Sequence, residues 1–303
     1  MKRTLLSGLA CGVAWVAIAG ASPAVLQEGP ARVVNAKVET RSVPSGLDPS
    51  FRGLVSARQA PGWIGYSVPS IPGDRHTCDG GWDSRYGTAY LEGRNKSADA
   101  AARGGKANLE GPREMYVFFR AEAGRVQKIR VLSPECEIDG GGLPVHWLTQ
   151  VNGAESVALL STFVVPSARE KLDSLANGAL MAVALHRAPE AARALDRFVA
   201  PGQPVGVRKQ AAFWLAAGRG REGFQTLRRL ADDSDPAFRK ELAFPISISK
   251  EPEAIEVLIA MARQDASAEV RRQALFWVGQ KAGARAAETI TGAIENDPDT
   301  EVK

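Results

Sequence analysis

Val207-Arg-Lys-Gln-Ala-Ala-Phe-Trp-Leu215 recurs as Phe238-Arg-Lys-Glu-Leu-Ala-Phe-Pro-Ile246 and again as Val270-Arg-Arg-Gln-Ala-Leu-Phe-Trp-Val278. Leu175 opens a fainter earlier copy, and Val302-Lys303 begin a further one, which is what a chain continuing into more repeats would show. Copies at a fixed period of about 32 residues mark a solenoid of stacked helix pairs, because one pair cannot bury its apolar face alone.

The repeated columns have the spacing of helices. Leu175/Val207/Phe238/Val270, Ala179/Ala211/Leu242/Ala274 and Val183/Leu215/Ile246/Val278 fall at i, i+4 and i+8, one stripe of a helix. A second helix is expected to bury Ala192/Phe224/Ile255/Ala287, Leu195/Leu227/Leu258/Ile290 and Phe198/Leu230/Met261/Ala293. Turn signals separate the helices at 231–236, 264–267 and 295–298, where Asp and Ser can accept the first N–H groups of the next helix.

Asp235-Pro-Ala-Phe-Arg239, Asp297-Pro298 with Val302, and Val270-Arg271 with Ala274 and Val278 carry a family resemblance. They resemble the short HEAT repeat, the form also found in phycobilisome-lyase-like proteins. The resemblance covers roughly 167–303 and implies an interaction scaffold. Two departures stand out: Pro245 is expected to interrupt its helix, and Leu175 lacks the Arg that follows in the other copies. HEAT-repeat hydroxylases hold iron on paired His-Glu steps, and this sequence contains no His-Glu dipeptide. The repeat subtype alone suggests a phycobilin lyase, a reading that export would disfavour.

Met1-Lys-Arg3, the apolar run Leu5–Ala19 and the small residues Ala19-Gly-Ala21 read as a signal peptide over 1–21, with a periplasmic or secreted protein as the consequence. The run falls short of the roughly 20 residues a transmembrane helix needs. Cys78 and Cys136 then remain, and an even count in an exported chain favours a disulfide. A zinc site drawing on His76 and His146 is the alternative, although its spacing matches no established pattern.

The chain carries 38 Lys and Arg against 34 Asp and Glu, divided 16 to 15 over 22–165 and 20 to 19 over 166–303. That balance gives no clustered basic footprint, so nucleic acid is not expected as a partner. The pairs Arg228-Arg229 and Arg271-Arg272 read as a solvated or ladder-forming face.

Residues 22–153 read as a β-rich domain, 154–174 as a helical junction and 175–303 as repeats divided near 206, 237 and 269. The fold class expected is thus α+β, a small β-rich domain before an all-α solenoid. Strands are expected at Glu114–Ala121 and Arg125–Leu132 around a hairpin turn, within Val33–Val43, and at Trp63–Val68. Asp48-Pro49 is expected to cap and start a helix through Arg58, Asn95–Leu109 to form a loop, and Gly140–Gly142 a flexible turn.

No catalytic motif, phosphate loop or cofactor signature appears, so no cofactor and no catalytic residue are assigned. The best candidate surface follows from helix geometry. At about 100° per residue, Phe213 lies near 240° from Val207, almost opposite the buried stripe. Phe244 and Phe276 occupy the same place in their copies and Met181 in the first, with Lys209, Lys240 and Arg272 beside them. An apolar ladder edged by cations is expected to take a protein partner. The competing reading is an enzyme whose site combines His76, Asp79, Asp83 and His146, with the repeats as a platform.

Overall fold

A computed structural model describes residues 32–73, 77–78, 88–93, 113–165, 172–281 and 284–303. The signal-peptide segment, His76, Asp79, Asp83 and the loop expected at Asn95–Leu109 lie outside them. The fold is α+β: a β-rich region precedes a run of paired helices.

The hairpin forms as its sequence requires. Strands β5 (Glu114–Glu122) and β6 (Arg125–Leu132) pair antiparallel, and Ala123 and Gly124 turn between them at φ 49° and 70°. Strand β3 (Gly62–Pro69) pairs antiparallel with β5. The stretch expected as one strand at Val33–Val43 is instead two, β1 (Val33–Val34) and β2 (Val38–Ser42). Asn35 sits at φ 51° between them, a left-handed backbone that Asn tolerates and that ends pairing. Three short strands carry too few residues to signal themselves: β4 (Thr88–Tyr90), β7 (Glu137–Asp139) and β8 (Val145–Thr149). One sheet runs β2-β8-β3-β5-β6, with β2, β8 and β3 mutually parallel, and a parallel three-stranded sheet runs β1-β7-β4.

Alternation along these strands divides two cores. Trp63, Tyr116, Phe118, Val145 and Trp147 face the small sheet and the buried pair Cys78 and Cys136. The cysteines form a disulfide with Cα atoms 5.2 Å apart, closing a loop of 58 residues. Gly141 and Gly142, at φ 66° and 78°, turn the chain from β7 into β8.

The other face, with Ile64, Tyr66, Val117, Phe119 and Ile129, meets helices and shares one continuous core with them. Helix α1 (Leu47–Ser56) starts earlier than Asp48-Pro49 suggests. Its N-cap is Gly46 at φ 96°, and the acceptor for Leu47 N–H is Glu155 Oε2 at 2.8 Å, from a helix far along the chain. Asp48 instead pairs with Arg52 one turn on, at 2.9 Å. Helix α2 (Gly153–Ser161) is capped by the Asn152 side chain, and its Ser156 hydroxyl bonds the buried Tyr66 hydroxyl at 3.0 Å.

Among the described residues eight helices follow: α3 (Ser174–Leu185), α4 (Pro189–Val199), α5 (Val205–Gly218), α6 (Gly220–Leu230), α7 (Pro236–Ile248), α8 (Ala254–Gln264), α9 (Ala268–Gln280) and α10 (Ala284–Asn296). The expected stripe on α3, α5, α7 and α9 is buried throughout, except Leu175, which is half-buried. On the second helices the middle column (Leu195, Leu227, Leu258) is buried, but Ala192 and Ile255 are half-buried and Ala287 is exposed. Their contact is made one residue earlier by small side chains, Ala191, Gly223, Ala254 and Ala286. A Cβ on Gly223 would stand 2.0 Å from the Leu215 carbonyl oxygen, so α5 and α6 touch backbone to backbone there. Pro245 does not interrupt α7, which runs through it to Ile248 with Pro245 itself buried.

Arg and Asp clasp successive repeats. Arg239 holds both oxygens of Asp265 at 2.8 Å and donates to the Asp233 carbonyl at 2.7 Å; Arg271 does the same to Asp297 at 2.8 Å and to the Asp265 carbonyl at 3.0 Å. Arg208 meets Asp233 in the preceding step. Each of these Asp side chains also accepts the N–H two residues on, at 2.9 Å, fixing the turn before the next helix. Arg271 is therefore part of a buried ladder, while Arg272 beside it is exposed.

The sheet joins the array along a backbone seam. Ser70 bridges His186, Ile71 N–H donates to the Leu185 carbonyl and Arg187 N–H to the Pro69 carbonyl, each at 2.9 Å. Helix α3 lies on β6 closely enough that a Cβ on Gly178 would be 2.7 Å from the Ile129 carbonyl oxygen.

Candidate functional site

The array has two unlike layers. Helices α5, α7 and α9 pack side by side, each against the next, whereas α4 and α6, and α6 and α8, are splayed. Helices α5, α7 and α9 thus form one continuous layer, designated inner. A groove of about 530 Å³ between α6 and α8, on the other side, mixes charged and apolar walls, with Arg228, Asp232, Glu253, Val257 and Met261 among them.

Met181, Phe213, Phe244 and Phe276 occupy the inner helices. Phe213 and Met181 are half-buried, Phe244 is 37% exposed and Phe276 54%. Their rings form a connected row. Phe213 and Phe244 stack with centroids 6.1 Å apart, Phe244 meets Trp277 at 4.9 Å, and Trp277 meets Phe276 at 5.0 Å. Trp214 adjoins Phe213 at 5.1 Å and is buried, so the row grades from the core outward. Side chains at this angle do not enter the buried stripe; Phe213 and Phe244 each meet an aromatic residue of the following repeat, and Phe276 meets Trp277 of its own helix.

The cations beside the row are not a free basic rim. Lys209 pairs with Glu241, Lys240 with Glu269 at 3.1 Å, and Arg272 with Glu269 at 2.7 Å and Glu301 at 3.7 Å. Each acid belongs to the next repeat or to the start of the same helix. The pairs neutralise the edge and leave the rings as its distinguishing feature. Lys240, with Arg272, holds the Glu269 carboxyl below its usual range. Sequence spacing locates the cations, but only the packing of successive repeats shows which carboxylates reach them.

Of the competing site, only His146 lies among the described residues. By strand parity His146 faces the helix side of the five-stranded sheet, while Cys78 and Cys136 lie in the core on its other face. Among the described residues no group of three or more His, Cys, Asp or Glu is placed to hold a metal ion, and no helix is long and apolar enough to cross a membrane.

Comparison with known proteins bears on the array. In structure the chain is similar to the complex of CpcE and CpcF of phycocyanin lyase from Nostoc sp. PCC7120, at 18% identity and TM-score 0.38, over 50% of this chain and 95% of that one. It is similar to human deoxyhypusine hydroxylase at 17% identity and TM-score 0.32, over 49% and 58%, and to an engineered protein at 19% and 0.27, over 48% and 74%. No curated protein matches the chain. The family model that does match, over residues 199–275, is that of HEAT repeats. Residues 199–275, in the helical part of the chain, therefore carry HEAT repeats.

Proposed function

We propose that this is an exported scaffold that binds a partner protein through the inner face of its HEAT array, with Met181, Phe213, Phe244 and Phe276 as the contact row. The observation that carries the reading is the connected row of rings, two of them well exposed, on the side of each helix opposite its core stripe. Lone exposed apolar residues are ordinary; a contiguous row repeated on successive helices is the kind of patch that marks an interface. Aromatic anchors within a neutralised polar edge also match the make-up of interface centres, which are rich in rings and poor in unpaired charge.

Export rests on the pattern of residues 1–21 and is supported by the disulfide, which persists in oxidising compartments. The β-rich region then adds a disulfide-bonded cap at one end of the array. A photocrosslinking residue placed at Phe276, and separately at Arg228 in the outer groove, tests the surface in envelope extract. One protein species captured from position 276 and not from 228 supports the reading; equal capture at both, or none at 276, contradicts it.

A further inference from the structure

A second polar constellation stands where β2, β8 and β3 begin. Lys37 Nζ lies 3.1 Å from Glu39 Oε1, and Arg41 Nη2 and His146 Nδ1 each lie 3.5 Å from Glu39 Oε2. Strand register sets Glu39 beside His146 and His146 beside Ile64, so these side chains share one face of the sheet. Arg58 reaches the same place from just beyond the end of α1. Its guanidinium lies against Gly62, so close that a Cβ there would be 2.1 Å from Nη1.

Arg58 has five N–H donors, and among the described residues none meets an acceptor; its Nε is also sealed from water. A position past the C-terminus of α1 suits a cation but leaves those donors unspent. The Nδ1 of His146 is likewise sealed and without a hydrogen-bond partner. Burial, then the charges of Arg58 and Arg41, hold the imidazole pKa below its usual value, against the opposing pull of Glu39. Among the described residues Glu39 is the carboxylate paired with Lys37 and Arg41, so with Arg58 three cations gather around one acid.

Unspent donors on a half-buried guanidinium call for an acceptor, and the excess charge gives its class. We propose that Arg58 and Arg41, beside His146, form a binding site for a phosphate group, as inorganic phosphate or a phosphate monoester. Arg58 donates two parallel bonds to its oxygens through Nη1 and Nη2, Arg41 swings from Glu39 to the anion, and the sealed His146 senses the added negative charge without touching it. The site is independent of the aromatic row and lies on a different part of the molecule.

Titration of the full chain with inorganic phosphate, followed through the His146 imidazole NMR signals, tests it, with chloride at matched ionic strength as control. Saturable shifts are expected, and bound anion should raise the His146 pKa, because a nearby negative charge favours the imidazolium. Arg58→Gln and Arg41→Gln should each weaken binding by about fivefold or more. Arg41 is exposed at a sheet edge, so its variant keeps the test valid even if Arg58→Gln folds poorly. Tighter binding of glycerol phosphate than of inorganic phosphate identifies an ester as the ligand, and the reverse identifies the free anion. Shifts equal to those with chloride, or undiminished affinity in both variants, overturn the proposal.

Discussion

At the scale of single residues, the array is held by charges that burial makes consequential. Asp265 is pushed up by burial, but the Arg239 hydrogen bonds, the Ser267 N–H and the charges of Arg239 and Arg271 outweigh this and hold it below its usual range. Arg239→Ala would leave that carboxylate buried without its partner, and should cost about 3 kcal/mol in chemical unfolding. A loss under about 1 kcal/mol would show the clasp to be incidental. His186 works in the opposite sense. It is fully buried at the seam between sheet and array, its Nδ1 accepts the Ala188 N–H at 3.0 Å, and its Nε2 has no partner among the described residues. Burial, then Arg219, lowers its pKa to about 4 against the pull of Glu190. The unfolded chain therefore takes up a proton near pH 6.5 that the folded one refuses until about pH 4. Stability should fall by roughly 3 kcal/mol as pH drops through that window. His186→Asn, which keeps an acceptor for Ala188, should flatten the slope, and an unchanged slope would assign it to other groups. The Asp clasps lose their contribution only at lower pH, below the ordinary carboxylate pKa of about 4.

At the scale of elements, what was legible in the sequence followed the size of the side chains involved. Two of the three inner-helix columns are large, Leu175/Val207/Phe238/Val270 and Val183/Leu215/Ile246/Val278, and they recur four times and fall where the period places them. The second helices also approach through Ala191, Gly223, Ala254 and Ala286, which carry almost no hydrophobic signal. The first expected column, of which only Phe224 is buried, is thus supplemented one residue earlier, while Leu195, Leu227 and Leu258 are buried as expected. Strands β7 and β8 are short and pair in parallel with partners about a hundred residues away, and the cap of α1 comes from Glu155; neither leaves a local trace. The ladder was readable from helical angle alone, but its neutral edge was not, since Glu241, Glu269 and Glu301 meet it only after repeats stack. Two glycines test the packing. Gly223→Ala would drive a methyl into the Leu215 carbonyl and should destabilise by about 3 kcal/mol. Gly279→Ala in α9 meets only Ile290 Cδ1 at an ordinary 3.6 Å and should gain about 0.5 kcal/mol from helix propensity. Unfolding midpoints in urea that moved together would refute the close approach of α5 and α6.

At the scale of the whole molecule, the sheet and the helices are not separate beads. One core runs from Phe119 and Ile129 through α3 into the repeats, and the Ser70–His186 seam stitches the same boundary. The β-rich region thus covers the first helix pair, the role a capping element plays in a solenoid whose end would otherwise expose its apolar face. Such a cap leaves the inner face of the remaining repeats open, which is where the aromatic row lies. Phe244 and Phe276 are the cleanest probes of it, because Phe213 also packs against the core. The decisive measurement is the affinity of the captured partner for Phe244→Ala/Phe276→Ala, taken beside the melting temperature of the same protein. Binding weaker by about 2 kcal/mol or more, roughly thirtyfold, with a melting temperature within a few degrees of the parent is the predicted result; undiminished affinity would contradict the assignment of this face as the binding surface.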